Sequence, residues 1–261
     1  MKELIAIIDF DGTLYRGDAP IRYYAEVVAD TMARPDREPY LDALDRYLKD
    51  GPGASRDSED TVEAAVLREA VDGWGAAFHL AGRCYDVPAE VTEFAFARCR
   101  LWMTKPECDI ELVEPLIEAL AGIRDRATLL LVTNSPELGL RPLLERLGVT
   151  SAFDEIMAST GKPDGLRRLL QRRLGADLRL RPWRVFSLGD HYRNDIEPAV
   201  EIGAPAGYVD KYGRRDGPAT ATASRAEDLL PALRGWAADP AAGPAADPAA
   251  GRASGPASGA A

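Results

Sequence analysis

Leu4-Ile5-Ala6-Ile7-Ile8-Asp9-Phe10-Asp11-Gly12-Thr13 (LIAIIDFDGT) decides how this chain is read. Five consecutive apolar residues, three of them isoleucine, have the length and composition of a strand buried on both faces of a parallel sheet. The run stops at Asp9. Asp9 and Asp11 stand two apart at its end, so an extended backbone sends both carboxylates to the same side. Asp-Gly is also an ordinary turn dipeptide, and a charged strand end taken alone is only a solvated turn. The rest of the chain has to supply the partners that separate a site from a turn.

Two further runs end the same way. Thr128–Val132 (TLLLV) halts at Thr133-Asn134-Ser135, and Arg184–Leu188 (RVFSL) halts at Gly189-Asp190. Helical periodicity follows at Ile110–Arg126, Glu137–Leu147, Pro163–Leu174 and Tyr192–Ile202, with Ser135 as N-cap and Pro136 as first residue of the second, and Gly203 closing the last. Ala206–Val209 reads as one more short strand. Strands alternating with helices of this length predict an α/β fold with a doubly wound parallel sheet. Between Pro20 and Lys105 the alternation breaks: Ile21–Met32, Pro39–Lys49, Asp60–Phe78 and Ala89–Met103 are helical patterns, separated at Lys49–Ser58 by a polar loop, with no convincing strand. The expected organisation is a core of residues 1–18 and 106–235, an all-helical insert over 19–105, and a Pro/Ala/Gly/Ser tail over 236–261. That tail lacks the large apolar residues needed to offset ordering entropy, so disorder is expected there.

Composition narrows the function. The 261 residues are 46% apolar, enough for a real core, and 32 basic against 42 acidic residues repel nucleic acid and anionic membranes. Cys84, Cys99 and Cys108 form no CxxC pair and have no histidine-rich company, which excludes a zinc motif and predicts reduced thiols in a cytosolic protein. The N-terminal apolar run is only a strand long, so neither signal peptide nor membrane span is expected. Monomer and dimer are both compatible with this sequence.

In an open parallel sheet, ligands bind outside the carboxyl ends of the strands, so the separated strand-end residues should meet in one crevice. Asp9, Asp11, Thr133, Lys162 from TGKPDG, and the pair Asp190 and Asp195 from GDHYRND then surround one volume. Phosphoryl transfer needs this inventory: a nucleophile, a proton donor for the leaving oxygen, oxygens for a hard cation, and donors for phosphate oxygens. A carboxylate is a nucleophile without prior deprotonation, and a magnesium ion would offset its repulsion by an anionic phosphate.

The ordered set DxDGT, apolar run then Thr, Lys-Pro, and GDxxxxD, spanning residues 9 to 195, resembles the haloacid-dehalogenase-like hydrolases. The resemblance implies a Rossmann-like core and assigns roles. Asp9 is the nucleophile and a metal ligand; Asp11 is the acid and base and lends its backbone carbonyl to Mg2+. Thr133 and the Asn134 amide hold the phosphoryl group beside Gly12, Lys162 stabilises it, Asp190 completes the metal site, and Asp195 acts behind it or orients Lys162. The presence of Asp11 points to phosphate esters, because halide displacement needs no proton on its leaving group. The opening DGTLYRGD also resembles the nitrophenylphosphatase-like branch, but that branch places its cap between Thr133 and Lys162, where this sequence has no room. The long gap lies between Asp11 and Thr133, as in members with a helical cap after the first motif. Such a cap implies a small phosphorylated metabolite as substrate. A phosphomutase or phosphotransferase shares the same site residues, and a non-catalytic regulatory protein would usually lack one of them.

Other residues carry blander readings. Arg16 is expected to be an exposed hinge residue, and His79 to pack beside Trp74 and Phe78. Tyr23, Tyr24, Trp74 and Trp102 are expected mainly in the core of the insert. His191, Arg193 and Asn194 are expected to be loop residues near the site.

Overall fold

The computed structural model describes residues 2–54 and 61–241. In chain order these form β1 (Leu4–Ile8), β2 (Tyr15–Arg16), α1 (Ala19–Ala29), α2 (Arg34–Asp50), α3 (Val62–Glu69), α4 (Gly73–Cys84), α5 (Ala89–Trp102) and β3 (Glu111–Leu112). Then follow α6 (Glu114–Ile123), β4 (Ala127–Val132), α7 (Leu140–Arg146), β5 (Glu155–Met157), α8 (Asp164–Leu174) and β6 (Val185–Gly189). The last elements are α9 (Glu197–Val200), β7 (Ala206–Val209), β8 (Ala221–Ala223) and α10 (Leu230–Ala238).

Six strands pair in parallel in the order β5-β4-β1-β6-β7-β8. The chain leaves β1 toward β4 and β5, then returns to build β6, β7 and β8 on the other side, so the order reverses at β1. A crevice opens at such a switch point. The register sets Ile8 opposite both Leu131 and Leu188, which levels the ends of three strands carrying Asp9, Thr133 and Asp190.

Strand periodicity divides the apolar residues between two cores. Ile5, Ile7, Leu130 and Val132 face one side, where Leu166, Leu169, Leu170 and Leu174 of α8 cover them at helical spacing. Ala6, Ile8, Leu129 and Leu131 face the other, under α6 and α10 and in one cluster with residues of α1–α5. Truncating one of these buried leucines or isoleucines to alanine removes about 2–5 kcal/mol.

Several elements depart from the sequence reading. The helix expected over Ile110–Arg126 begins only at Glu114, because Glu111–Leu112 pairs antiparallel with Tyr15–Arg16 and Pro115 suits a first helical turn. The helix expected over Glu137–Leu147 is confined to Leu140–Arg146, and Gly139 in a left-handed conformation, not Ser135, precedes it. A Cβ on Gly139 would fall 2.6 Å from the Arg100 carbonyl oxygen, so glycine permits the close approach to α5. The pattern over Asp60–Phe78 is two helices: the Ala70 carbonyl accepts hydrogen bonds from Tyr47 and Arg214, and Asp72 caps α4 by accepting from Gly75 N at 2.6 Å. Tyr192–Ile202 opens with a wide π turn at Tyr192–Ile196 before α9. The edge strands β5 and β8 were not expected, being three residues each without an apolar run.

The tail boundary at 236 also moves. Trp236 is buried, donates to the Trp183 carbonyl at 2.6 Å, and α10 continues to Ala238. The part of the expected tail over 242–261, and residues 55–58 of the polar loop, lie outside the described residues. No described helix is long and apolar enough to cross a membrane.

Candidate active site

The strand ends supply one floor. Asp9, immediately after β1, is buried and fixed from two sides: Lys162 Nζ donates to Oδ1 at 2.7 Å and Thr13 Oγ1 donates to Oδ2 at 3.2 Å. Lys162 Nζ also donates to Asp195 Oδ1 at 2.5 Å and to the Val132 carbonyl at 2.8 Å, so all three ammonium donors are used. Asn134 clamps the lysine backbone, accepting from Lys162 N at 2.6 Å and donating to its carbonyl at 3.1 Å. Thr133 is buried, and its hydroxyl oxygen accepts from Ser135 N at 3.0 Å.

Asp9, Asp190 and Asp195 offer carboxylate oxygens that all lie within 4.8 Å of one another, a group that could hold a cation. Gly12 makes this approach feasible: a Cβ there would sit 2.0 Å from Asp190 Oδ2, and its φ of +77° favours glycine. The three acids line a cavity of about 200 Å³, roofed from the helical insert by Asp72, Trp74 and Phe96.

Asp11 lines the same cavity but stands outside that carboxylate group, held by partners of its own. Oδ1 accepts from Tyr15 Oη at 2.6 Å and from Arg100 Nη1 at 3.0 Å, while Oδ2 accepts from the Ser135 hydroxyl. Arg100 comes from α5 and is fully buried, with its guanidinium carbon 5.6 Å from the Phe10 ring centroid. A carboxylate bonded from β2, from the loop after β4 and from the insert is held in a single orientation.

Burial pushes the Asp9 carboxyl up to about 7; Lys162 works against this shift, and Asp195 and Asp11 add to it. Burial likewise raises Asp190 well above the usual carboxylate range, joined by the charges of Asp9, Asp72 and Asp195. Burial acts to lower Lys162, but Asp195 and Asp9 outweigh it and its pKa is raised. Both shifts are upward, which favours the charged lysine but disfavours the charged Asp9, and the asymmetry reflects numbers of charges: one ammonium lies among three clustered carboxylates. The lysine is therefore overcompensated and the acids undercompensated.

The model for the haloacid dehalogenase-like hydrolases matches residues 5–203. The chain belongs to that family. Among curated proteins no sequence matches it. Solved structures of the same fold include a Haemophilus somnus protein described as a predicted phosphoglycolate phosphatase, at 14% identity, covering 89% of this chain and 99% of that one with a TM-score of 0.57. A Bacillus subtilis HAD-hydrolase described as bound to magnesium is 15% identical, with coverage of 89% and 99% and a TM-score of 0.56. A haloacid dehalogenase-like family hydrolase from Xanthomonas campestris is 19% identical, with coverage of 92% and 99% and a TM-score of 0.51.

In this haloacid dehalogenase-like hydrolase Asp9, Asp11, Thr133, Asn134, Lys162, Asp190 and Asp195 all line the one cavity, while Gly12 lines the space adjoining it. Ser135 is not the helix cap expected of it; its hydroxyl bonds Asp11 instead. Arg16 is half-buried rather than an exposed hinge, paired with Glu111 and Glu227. His79 is exposed, with its ring 5.3 Å from that of the exposed Phe78, so it is not packed in the insert. Trp74 lines the site, while Tyr23 and Trp102 stack on each other at 4.3 Å away from it and Tyr24 is core. His191 and Asn194 line the cavity, and Arg193 is exposed. Sequence reasoning missed Tyr15, Asp72, Phe96 and Arg100. Only Asp72 left a signal, as a good N-cap residue inside an apparently continuous helix.

Proposed function

We propose that the protein is a magnesium-dependent phosphatase that hydrolyses a small phosphomonoester through a phosphorylated Asp9. The observation that carries this reading is the placement of Asp9. Its carboxylate is immobilised by Lys162 and Thr13 on the floor of a cavity, with a second acid two residues on, at the switch point of a parallel sheet.

The donor set fits magnesium: Asp9 and Asp190 offer only oxygen, and the excess of carboxylates over ammonium leaves negative charge for a hard cation to neutralise. Held there by Asp9, Asp190 and the backbone carbonyl of Asp11, magnesium supplies the positive charge that offsets repulsion between carboxylate and phosphate. The remaining work falls to side chains. An Asp9 oxygen forms a bond to phosphorus as the bond to the leaving oxygen breaks, and Asp11 gives that oxygen a proton. Asp11 then takes a proton from water as the water oxygen attacks phosphorus, releasing phosphate and restoring Asp9. Oδ1 of Asp11 accepts from Tyr15 and Arg100 and Oδ2 from Ser135 alone, so these donors hold the group through both halves while Oδ2 keeps a lone pair for the proton that passes to and from the reacting oxygens. Thr133 and Asn134 line the phosphate position with Gly12 beside it against Asp190, Lys162 balances charge there, and Asp195 orients Lys162. Helices α1–α5 act as a cap whose residues Asp72, Trp74 and Phe96 shield the cavity from bulk water.

The test is release of phosphate from a panel of phosphorylated metabolites and an aryl phosphate, with magnesium and with chelator, on wild type and Asp9→Asn. Magnesium-requiring release that vanishes in the variant is expected. Equal activity in both proteins would remove Asp9 from the mechanism.

A further inference from the structure

Beside the cavity over Asp9 lies a second, larger chamber of about 440 Å³, within the range of small-ligand sites. The two share Asp11, Asp72, Trp74 and Asp190 as walls, so the proton-transferring residue faces both. Given the phosphatase reading, on which this inference rests, the larger chamber is where the leaving group lies. Its lining then states what that group can be.

Four cations line the chamber, and each is already engaged. Arg16 and Arg225 both pair with Glu227, Lys211 donates to Asp18 at 3.2 Å, and Arg214 pairs with Asp216 and donates to the Ala70 carbonyl. Asp210, also in the wall, is satisfied by the backbone amides of Arg214 and Arg215. Asp72 is different. Its Oδ1 accepts from Gly75 N, and among the described residues no cation pairs with it. It is held at the junction of the two chambers because the preceding break is pinned at Ala70 by Tyr47 and Arg214. Glu227 adds a second demand: its Oε2 is buried without a hydrogen-bond partner. Arg16 Nε is also buried without a partner, but its guanidinium already pairs with Glu111 and Glu227, and six carboxylates line the chamber against four cations, so its balance disfavours a second anion.

We infer that the larger chamber selects phosphomonoesters whose leaving group carries hydroxyl or ammonium donors and no second negative charge, with Asp72 as the specificity-determining residue. A carboxylate placed against Asp72 meets a like charge, which in a partly desolvated site costs more than about a factor of ten in affinity.

Calorimetry on the full-length Asp9→Asn variant with magnesium reads the chamber without turnover. Two matched comparisons isolate the charge: ethylene glycol phosphate and ethanolamine phosphate against phosphoglycolate, and glucose 6-phosphate against 6-phosphogluconate. The non-anionic ester of at least one set is expected to bind at least about tenfold tighter than its carboxylate twin, and comparison of the glycol and ethanolamine esters tells hydroxyl from ammonium recognition. Adding Asp72→Asn, which keeps a good N-cap for α4, is expected to narrow that ratio by at least about fivefold. Equal or tighter binding of the carboxylates, no binding of any ester, or a ratio indifferent to Asp72→Asn would each overturn the inference. Aryl phosphate turnover by wild type tests the phosphatase reading separately, since an aryl group without a second charge makes no demand on Asp72.

Discussion

Replacing Lys162 with methionine keeps the buried hydrocarbon stem and removes the ammonium, so the loss is electrostatic rather than one of packing. The ammonium bonds Asp9, Asp195 and the Val132 carbonyl, all in the interior. Breaking a buried pair by removing one partner costs about 3–5 kcal/mol, because the other charge stays behind. Proton uptake gives an independent bound. Asp9 is already pushed up to about 7, so the new penalty falls mainly on one further carboxylate. Protonating an ordinary aspartate at pH 7, about three units above its usual pKa at about 1.4 kcal/mol per unit, costs about 4 kcal/mol. The two routes agree. They also fix the pH dependence: a carboxyl whose folded pKa has risen is penalised less as pH falls, so at pH 5.5 the loss shrinks by about 2 kcal/mol. Urea unfolding of both proteins in chelator at pH 7 and 5.5 measures this. A loss under about 1 kcal/mol at pH 7, or one that grows on acidification, would refute the reasoning.

Gly12→Ala places a Cβ where Asp190 Oδ2 now lies and strains a positive φ; magnesium affinity, from activity against metal concentration, should weaken by about ten- to a hundredfold. With Asp9 raised to about 7, the metal-free fold holds a proton that the unfolded chain has released, so stability in chelator should decline as pH rises from about 4 to about 7. Stabilisation by magnesium, which needs the carboxylates ionised, should grow over the same interval, as thermal unfolding with and without metal will show. Arg100→Met loosens Asp11 and should lower kcat on alkyl phosphates by about tenfold or more, while aryl phosphates with good leaving groups, which need little proton donation, change less. Equal losses on both would assign Arg100 a purely structural role.

The core strands were legible because their signal is local: isoleucine- and leucine-rich runs that stop at Asp9, Thr133 and Asp190 mark buried strands and their active ends alike. Short edge strands such as Ala221–Ala223 carry no such run, and their pairing is decided by the neighbouring strand. Helix breaks were misread wherever a distant group supplied the competing hydrogen bond, as Tyr47 and Arg214 do at Ala70. The same distance hid Arg100, which is 89 residues from Asp11 and unremarkable among the arginines on an insert helix. Asp72 and Phe96 were invisible as site residues because only the packing of the insert against the strand ends turns them toward Asp9.

The division of labour between strand ends and insert has an evolutionary consequence. The groups at the phosphoryl position lie on loops after β1, β4, β5 and β6, whereas among the described residues the insert contributes only Asp72, Trp74 and Phe96 to that cavity's wall and Arg100 behind Asp11. Gene variants that alter those few insert positions can explore new leaving groups while the bond-breaking apparatus is inherited intact. The strand ends and the insert thus give this hydrolase separately mutable modules, one conservative and one free to diversify.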